Sequence, residues 1–251
     1  MIVAIIQARL GSTRLANKVL KFLGDKTVLE HVCDRVKESK HVDEIFVATT
    51  INKQDLQIVE LCSSKGIRVF CGSEEDVLDR YYQLAKLIDV SHIVRITADC
   101  PVIDPGLIDY IIKEHLESRS DYTSNTIIDS FPDGLDTEIF KFKALEKAWK
   151  EATLKSEREH VTPYIKKNPE IFSQNSIISK NDYSEKRWTL DTDLDYEFLS
   201  FIFRELYSVN QYFGMNDILK LLSNNSSKEM INSNIIRNEG YIKSLNEDKT
   251  I

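Results

Sequence analysis

The segment that decides the fold is MIVAIIQARLGSTRLANK, residues 1–18 of the chain. Its first six residues are apolar and rich in β-branched side chains, which is typical of a buried strand. The following residues include three cations, two hydroxyls and one glycine, so the strand ends near Gln7 and a loop begins. In parallel sheets, ligands bind beyond the carboxyl ends of the strands. Residues 7–18 are therefore the first candidate for a functional site.

The alternation of apolar runs and helical stretches continues through the first half of the chain. Thr27 and Glu30 have the capping-box spacing that begins a helix. Strands that alternate with helices of this length form βαβ units. We therefore predict an α/β fold, a mostly parallel twisted sheet flanked by helices. The predicted strands of this half are residues 2–6, 45–49, 67–71 and 92–97.

The second half reads as a mixture of shorter elements. Residues from Ser223 onward are rich in Asn and Ser, which favours an irregular and partly mobile tail. We find no internal repeat and no linker that would separate two domains. The predicted strands are residues 122–126, 136–140, 172–178 and 187–190, and the predicted helices are 142–152, 156–167 and 196–207.

Composition excludes several classes of protein. The chain has 251 residues with a formal net charge of −7, which disfavours general binding to nucleic acid. No apolar run approaches the roughly 20 residues that cross a bilayer, and the cations follow the first apolar run instead of preceding it. We therefore expect a cytoplasmic protein. Its four cysteines lack C-x-x-C spacing and are expected to be reduced thiols.

The loop after the first strand carries the densest chemistry. Arg9, Arg14 and Lys18 place three cations within ten residues, and Gly11 and Ser12 allow a tight turn. Guanidinium forks, an ammonium and oriented N–H groups together suit a polyphosphate. The segment is neither a Walker A motif nor G-x-G-x-x-G. A solvated basic loop is the alternative, and the position at a strand's carboxyl end favours the site.

Carboxylates follow two other predicted strands. Asp99 comes directly after residues 92–97, and Asp191 and Asp193 follow residues 187–190. Two carboxylates brought together from distant strand ends are usual ligands for Mg²⁺. For Asp193 a helix cap is the alternative, and Asp195 reads as a first-turn charge.

Seven segments of this chain, in a fixed order, resemble the sugar cytidylyltransferases. That family includes the enzymes that activate Kdo (3-deoxy-manno-octulosonate) and acylneuraminates, and the SpsF-like spore-coat polysaccharide group. The chain departs from the family pattern at Ala16, where Pro is usual, and at Ala98, where Gly is usual. Neither departure removes a charge. The matching segments are Gln7–Leu20, Gly72–Tyr81, Arg95–Asp104, Phe131–Asp136, Arg158–Tyr164, Leu190–Asp193 and Asn238–Leu245.

The resemblance implies a Rossmann-like, GT-A-like nucleotidyltransferase with an acceptor and dimerisation insertion. It implies CTP and a small sugar-type acceptor as substrates, Mg²⁺ on Asp99 and Asp191, and a homodimer in which residues 125–138 are a candidate arm. The chain would be one domain over 1–251, with a nucleotide half at about 1–120, an acceptor region at about 121–190, and C-terminal helices and tail at 191–251. Lys18, Arg14 and Asp99 are the expected catalytic residues.

The remaining site residues divide between nucleotide and acceptor. Arg80 is expected to hold the nucleotide or to cover the sheet, and Arg95 to reach a phosphate or pair with Asp99. Arg158 and His160 suit a carboxylate or phosphate on the acceptor, although a half-buried helix histidine is an equal alternative. The nucleotide set is Gln7, Ala8, Arg9, Gly11, Ser12, Arg14, Lys18, Gly72, Arg80 and Arg95, and the acceptor set is Asn125, Asp133, Glu138, Arg158 and His160.

Three functions remain open on the sequence. The first is a Mg²⁺-dependent cytidylyltransferase that makes a CMP-linked sugar or polyol for a surface polysaccharide and releases pyrophosphate. The second is a glycosyltransferase of similar fold, because residues 193–195 form a D-x-D motif, although late in the chain. The third is a non-catalytic nucleotide-binding regulator on the same fold.

Overall fold

The computed structural model describes residues 1–250, and strands and helices alternate over residues 44–118. The strands are β1 Ile2–Gln7, β2 Phe22–Leu23, β3 Lys26–Thr27, β4 Glu44–Thr50, β5 Arg68–Gly72, β6 His92–Thr97, β7 Tyr122–Ser124, β8 Glu138–Lys141 and β9 Gln174–Ser176. The helices are α1 Val28–Lys37, α2 Leu56–Ser64, α3 Val77–Leu87, α4 Pro105–Ser118, α5 Phe142–Glu151, α6 Lys155–His160, α7 Pro163–Lys167, α8 Asp193–Leu206, α9 Met215–Ser223, α10 Ser226–Glu229 and α11 Glu239–Asn246.

The main sheet has seven strands in the order β5-β4-β1-β6-β8-β7-β9. Strands β5, β4, β1 and β6 are parallel to one another, whereas β8 is antiparallel to both β6 and β7. β1 lies between β4 and β6, so the loop that follows it is at the centre of the carboxyl edge. The α/β class predicted from the alternating pattern is confirmed.

Alternating residues of β1 enter two apolar layers. Ala4 and Ile6 pack in the layer that contains α1, α2 and α4, and Val3 and Ile5 pack in the layer with α3 and α5. This is the period of two that a strand buried on both faces requires. The predicted start of α1 is confirmed: Thr27 N–H donates to Glu30 at 2.8 Å, and Glu30 N–H to the Thr27 hydroxyl at 3.3 Å.

Two secondary-structure predictions for the second half are wrong. Residues 187–190 are not a strand of the sheet, because their backbone makes only an isolated bridge with Asp133 and a bond to Asp99. Residues 156–167 are not one helix. Val161 has φ 72° and ψ −55°, so the chain turns between α6 and α7.

The tail is more ordered than its composition indicates. It contains α10 and α11, and a third apolar cluster lies under it, formed by α8 and α9 with Trp188 and Leu190. Within residues 1–250, no helix has both the length and the hydropathy that crossing a bilayer would require.

A buried ion pair joins β6 to the antiparallel strand β8. The guanidinium of Arg95 pairs with Glu138, whose carboxylate also accepts from the Tyr122 hydroxyl at 2.5 Å and the Thr162 hydroxyl at 2.7 Å. Burial alone would raise the pKa of Glu138, but Lys166, Arg95 and these hydroxyls lower it far below its ordinary value. Glu138 is therefore ionised and stabilises the junction of the two halves of the sheet.

We predict that Glu138→Gln lowers the free energy of unfolding by about 3–5 kcal/mol at pH 7, because it leaves Arg95 buried without a carboxylate. A carboxyl with a depressed pKa contributes stability above its unfolded-state pKa, about 4.3, and loses it as the pH falls. The difference in the free energy of unfolding between wild type and Glu138→Gln should therefore become smaller below about pH 4. Urea unfolding from pH 7 to pH 3 measures it. Glu117→Gln, an exposed α4 control, should change little; equal midpoints for wild type and Glu138→Gln would contradict the prediction.

Candidate active site

Backbone hydrogen bonds bring two distant carboxylates together at the carboxyl edge of the sheet. Asp99 follows β6 in a turn that the Cys100 N–H closes onto Thr97 O at 3.3 Å. The N–H of Leu190 then donates to the carbonyl oxygen of Asp99 at 2.9 Å. Asp191 is thereby held beside Asp99, although the two are 92 positions apart in the chain.

Lys18 lies between these carboxylates. Its Nζ is 2.5 Å from Asp99 Oδ2 and 2.7 Å from Asp191 Oδ1. Burial lowers the pKa of Lys18, but attraction to Asp99 and Asp191 outweighs it, and the pKa lies above its ordinary value. Burial would raise the pKa of Asp99, yet the ammonium holds it at about 2. Lys18 and Asp99 are therefore both charged at neutral pH.

Arg14 completes this cluster from the same loop. Its guanidinium is 3.1 Å from Asp191 Oδ1 and 2.7 Å from Glu239 Oε2 at the start of α11. About a third of the Arg14 side chain is exposed, so it can exchange partners at low cost. The structure thus brings Arg14, Lys18, Asp99 and Asp191 together, as the sequence interpretation requires.

The donor set fits a hard divalent cation. Asp99 and Asp191 share one ammonium nitrogen, so their oxygens are close enough to share a metal ion. Within residues 1–250, no group of three or more His, Cys, Asp or Glu side chains is arranged to hold a metal. Two carboxylates are a partial ligand set of the kind that Mg²⁺ uses, since it keeps waters and takes phosphate oxygens.

Arg187 supports the cluster from below, and the sequence interpretation missed it. Its buried guanidinium contacts Asp195 at 2.9 and 3.0 Å, Asp133 at 2.9 Å and Asp191 at 3.2 Å. A cation four residues before Asp191 was the available signal. Asp133, predicted to bind substrate, is instead paired with Arg187. Asp195 is fully buried and caps α8, so it is not free to act with Asp193 as a D-x-D metal site.

Asp55 positions the first loop, and it too was missed. This fully buried carboxylate accepts the N–H of Leu10 at 2.7 Å and the hydroxyl of Thr50. The loop is also tied down where Ala8 N–H donates to Ala48 O at 3.1 Å. Arg9 remains largely exposed, 3.7 Å from Glu74 and 3.9 Å from Glu159. Gly11 passes close to the same Glu74, because an added Cβ would lie 3.3 Å from its carboxylate.

Arg80 and Gly72 build the neighbouring wall. The Arg80 side chain is buried and donates to the carbonyls of Ser73 at 2.9 and 2.6 Å and Ala48 at 3.3 Å. A Cβ on Gly72 would lie 2.9 Å from Arg80 Cγ, so glycine is needed for this packing. Because its donors are used by the backbone, we assign Arg80 to holding the loop instead of contacting a phosphate.

Arg95 does not pair with Asp99, as the sequence had allowed. It pairs with Glu138, and its Nε donates to Gln7 Oε1 at 3.2 Å. Gln7 is thereby fixed at the end of β1, with its amide nitrogen as the free end. Glu138, predicted to bind the acceptor, is 2% exposed and its oxygens are bonded within the protein, so we assign it a supporting role in the fold.

Two more predicted acceptor ligands have structural partners. Asn125 is fully buried and bridges the backbone of Leu135 and Thr137 at 2.9 Å each. Arg158 is held by Asp76 at 3.0 Å and by the carbonyl of Trp149 at 2.6 Å. The segment around Asn125 is not a projecting arm, since residues 130–135 are buried in this chain.

Gly134 allows the turn at residues 131–135 to pack closely against the backbone of Trp188. It has φ 110°, and an added Cβ would lie 2.5 Å from the carbonyl carbon of Trp188. Only glycine permits this approach, which places the turn against residues 187–191, the segment that contains Asp191.

His160 lies where α6 meets the C-terminal helix α11. It ends α6, and its Nε2 lies 3.0 Å from the hydroxyl of Ser244 in α11. The neighbouring Glu159 faces Arg9 of the first loop at 3.9 Å. His160 is thus between the loop after β1 and the C-terminal helix.

Comparison with known proteins agrees with this geometry. The family model for cytidylyltransferases matches residues 3–225. The chain belongs to the cytidylyltransferase family. It is 44% identical over 245 residues to the uncharacterized protein MJ1063 of Methanocaldococcus jannaschii, covering 96% of this chain and 97% of that one.

This cytidylyltransferase is also similar to two further proteins over most of its length. The spore coat polysaccharide biosynthesis protein SpsF of Bacillus subtilis is 35% identical, over 81% of this chain and 87% of its own. A solved cytidylyltransferase of Leptospira borgpetersenii superposes with a TM-score of 0.85 at 34% identity, covering 94% of this chain and 98% of that one. The predicted family and its Rossmann-like nucleotidyltransferase fold are confirmed.

We predict that Asp55→Ala loosens the first loop, because the N–H of Leu10 and the hydroxyl of Thr50 lose a buried acceptor. The expected loss is about 2 kcal/mol of unfolding free energy. Amide hydrogen exchange across residues 8–15 should be faster than in wild type, and mass spectrometry measures it. Glu60→Ala, an exposed α2 control, should leave both quantities unchanged. Unaltered exchange in Asp55→Ala would show that the loop holds its shape without this carboxylate.

Proposed function

We propose that the protein transfers CMP from CTP to a sugar-type acceptor and releases pyrophosphate, in the synthesis of a surface polysaccharide. The observation that carries the proposal is the convergence of Arg14 and Lys18 with Asp99 and Asp191 at one edge of the sheet. Membership in the cytidylyltransferase family supports CTP as the nucleotide, and the likeness to SpsF supports the polysaccharide role.

The first loop would bind the triphosphate. Arg9 is exposed and weakly paired, and Arg14 is partly exposed, so both can turn toward phosphate oxygens. Lys18 is fixed deeper, where it would meet the phosphates nearest the carboxylates. The N–H of Gly11, which has no acceptor within residues 1–250, would add a neutral donor, whereas the N–H of Ser12 is used by the carbonyl oxygen of Leu10 at 2.8 Å.

Asp99 and Asp191 would hold Mg²⁺ together with the nucleotide. When bound, the ion supplies neutralisation of phosphate charge and orientation of the reacting oxygens. Arg187 holds Asp191 in place through its bond at 3.2 Å, so the second carboxylate is oriented before any ligand arrives.

The reaction requires positioning and charge stabilisation but no covalent enzyme intermediate. An acceptor oxygen attacks the α-phosphorus in line, the new oxygen–phosphorus bond forms, and the bond from the α-phosphorus to the oxygen that bridges to the β-phosphate breaks. Where the acceptor group is a hydroxyl, its proton passes to solvent. Lys18 and Arg14 stabilise the charge that accumulates on the departing pyrophosphate. The acceptor enters from the side of His160.

We predict that Asp99→Asn lowers pyrophosphate release by a factor on the order of 1,000 while leaving the fold intact. The assay supplies each nucleoside triphosphate with Mg²⁺ and a panel of sugar acids, sugar phosphates and polyols. CTP should be the preferred nucleotide. Asp193→Asn, an exposed carboxylate two residues beyond Asp191, is the matched control and should retain activity. Near-normal turnover by Asp99→Asn would refute the assignment, and CTP binding without pyrophosphate would favour a regulator.

We further propose a cytoplasmic homodimer. Cytoplasmic nucleoside triphosphate pools support the location. For the dimer, Ile128 and Ile178 are both more than half exposed, in the segments that follow β7 and the edge strand β9. Exposed apolar groups beside an open strand edge favour association.

Light scattering at micromolar concentration should therefore give twice the mass of the chain, which is 29.0 kDa. Ile178→Lys should shift the species toward monomer, because it places a charge in the apolar contact. Leu87→Lys, at an exposed apolar residue on α3, is the control. A monomeric wild type would remove the dimer proposal.

A further inference from the structure

The C-terminal residues 237–250, here called the C-terminal strap, cross the mouth of the candidate site. The strap begins at the segment after β7 and ends at α6. The strap has no role in the reaction proposed above. Its anchors are Arg237 on Phe131 O at 3.0 Å and Asp136 at 2.9 Å, Glu239 on Arg14 at 2.7 Å, Asp248 on the Ser156 backbone and hydroxyl at 2.9 and 2.6 Å, and Thr250 bridged to Leu154.

Ser244 is the point at which the strap meets His160. It is 9% exposed, and its hydroxyl oxygen has three neighbours at 3.0 Å. These are Nε2 of His160, Oε2 of Glu159 and the carbonyl oxygen of Gly240. Within residues 1–250, no other hydrogen bond to the His160 ring is present.

The count of protons decides the tautomer of His160. A serine hydroxyl has one proton to donate, whereas a carboxylate and a carbonyl only accept. If that proton went to Nε2 of His160, Ser244 would face two acceptors with nothing to donate, whereas giving it to Glu159 or Gly240 leaves Nε2 able to donate and satisfies one contact more. The third contact is favourable only if Nε2 of His160 carries the proton and donates it to Ser244. Nδ1 then retains its lone pair and is an acceptor.

The surroundings keep this ring neutral. Burial lowers the pKa of His160 to about 4; Glu159 and Glu138 oppose this shift, whereas Arg95 and Arg9 reinforce it. The rings of Tyr241 and His160 pack edge to face, with their centroids 4.9 Å apart. A neutral imidazole with a free lone pair is a receptor for a hydroxyl and not for an anion.

The backbone next to His160 is strained in a way that fixes the ring's position. Val161 has φ 72° and ψ −55°, and Thr162 N–H donates to His160 O at 2.8 Å, which is a γ-turn with positive φ. This conformation is unfavourable by about 1–3 kcal/mol for a β-branched residue. It persists because the Thr162 hydroxyl is bonded to the buried Glu138 at 2.7 Å.

We propose that Ser244 is a positioning residue: it fixes His160 in the Nε2-protonated tautomer so that Nδ1 receives a hydroxyl of the acceptor. The inference rests on the proposed function for the identity of the site. It revises the expectation that Arg158 and His160 bind an acceptor anion, because Arg158 is committed to Asp76 and His160 presents a lone pair. The group of the acceptor that faces the strap is therefore a sugar hydroxyl.

The tautomer can be tested without any substrate. Long-range ¹H–¹⁵N spectra of protein labelled at histidine distinguish the two neutral forms, and His160→Gln assigns the signal among the five histidines. Wild type should show the Nε2-protonated form. Ser244→Ala should shift the population toward a mixture, and Ser244→Thr should restore it. An Nδ1-protonated wild type, or a population unchanged in Ser244→Ala, overturns the inference.

Kinetics test the functional half, using whichever acceptor of the panel supports pyrophosphate release. Ser244→Ala should raise the KM for that acceptor about tenfold, with the KM for CTP within about twofold of wild type. Ser244→Thr should recover most of the loss, and Ser223→Ala on α9 is the matched control. An unchanged acceptor KM in Ser244→Ala overturns the inference and leaves the proposed function standing. If no acceptor is turned over, the proposed function fails, and the spectra alone decide the tautomer.

Discussion

The site depends on one ammonium group held between two carboxylates. A backbone hydrogen bond from Leu190 to Asp99 brings the two carboxylates Asp99 and Asp191 together, and two like charges at this spacing repel each other unless a cation lies between them. Lys18, at 2.5 and 2.7 Å, removes that repulsion. Because Lys18 also belongs to the loop after β1, the same contact ties the loop that we propose to bind phosphate to the two carboxylates that we propose to bind the metal. The geometry of the loop and that of the acids are therefore one constraint.

Other contacts make that constraint rigid. The N–H of Leu190 holds residues 187–191 against Asp99 through a backbone hydrogen bond. The guanidinium of Arg187 joins Asp191 to Asp195. On the opposite flank, Asp55 holds the loop by its Leu10 N–H. Each of these groups is buried, so each would destabilise the chain if left alone. These buried groups are stable because each has its partner. Their fixed positions in turn determine where the residues at the surface of the site lie.

The first half of the fold was predictable because its signals are local. The strand at residues 2–6, the Thr27 capping box and the position of Asp99 all follow from patterns within a few residues, and the family motifs added the order. Arg158 and Asn125 were not predictable as structural residues, because their partners, Asp76 and the Leu135 backbone, are set by tertiary packing. The same holds for residues 187–190, which are extended but bond to single residues in place of a strand, and for the helix that Val161 interrupts.

The charge pattern of the site also accounts for how a highly charged ligand could enter without leaving buried ions unpaired. In the free protein, Lys18 and Arg14 neutralise Asp99 and Asp191, while Arg14 also contacts Glu239 of the C-terminal strap. On the proposed function, a magnesium-bound triphosphate brings both signs of charge at once. The carboxylates exchange an ammonium for the metal, and the cations exchange carboxylates for phosphate oxygens, so every group keeps a partner. Glu239 alone has no new cation in that exchange, and its contact with Arg14 is largely exposed and weak. The Glu239 contact is therefore the part of the strap that nucleotide binding would release most readily, while Arg237 stays bound to Asp136 and the far end stays fixed to α6 through Ser244 and Asp248.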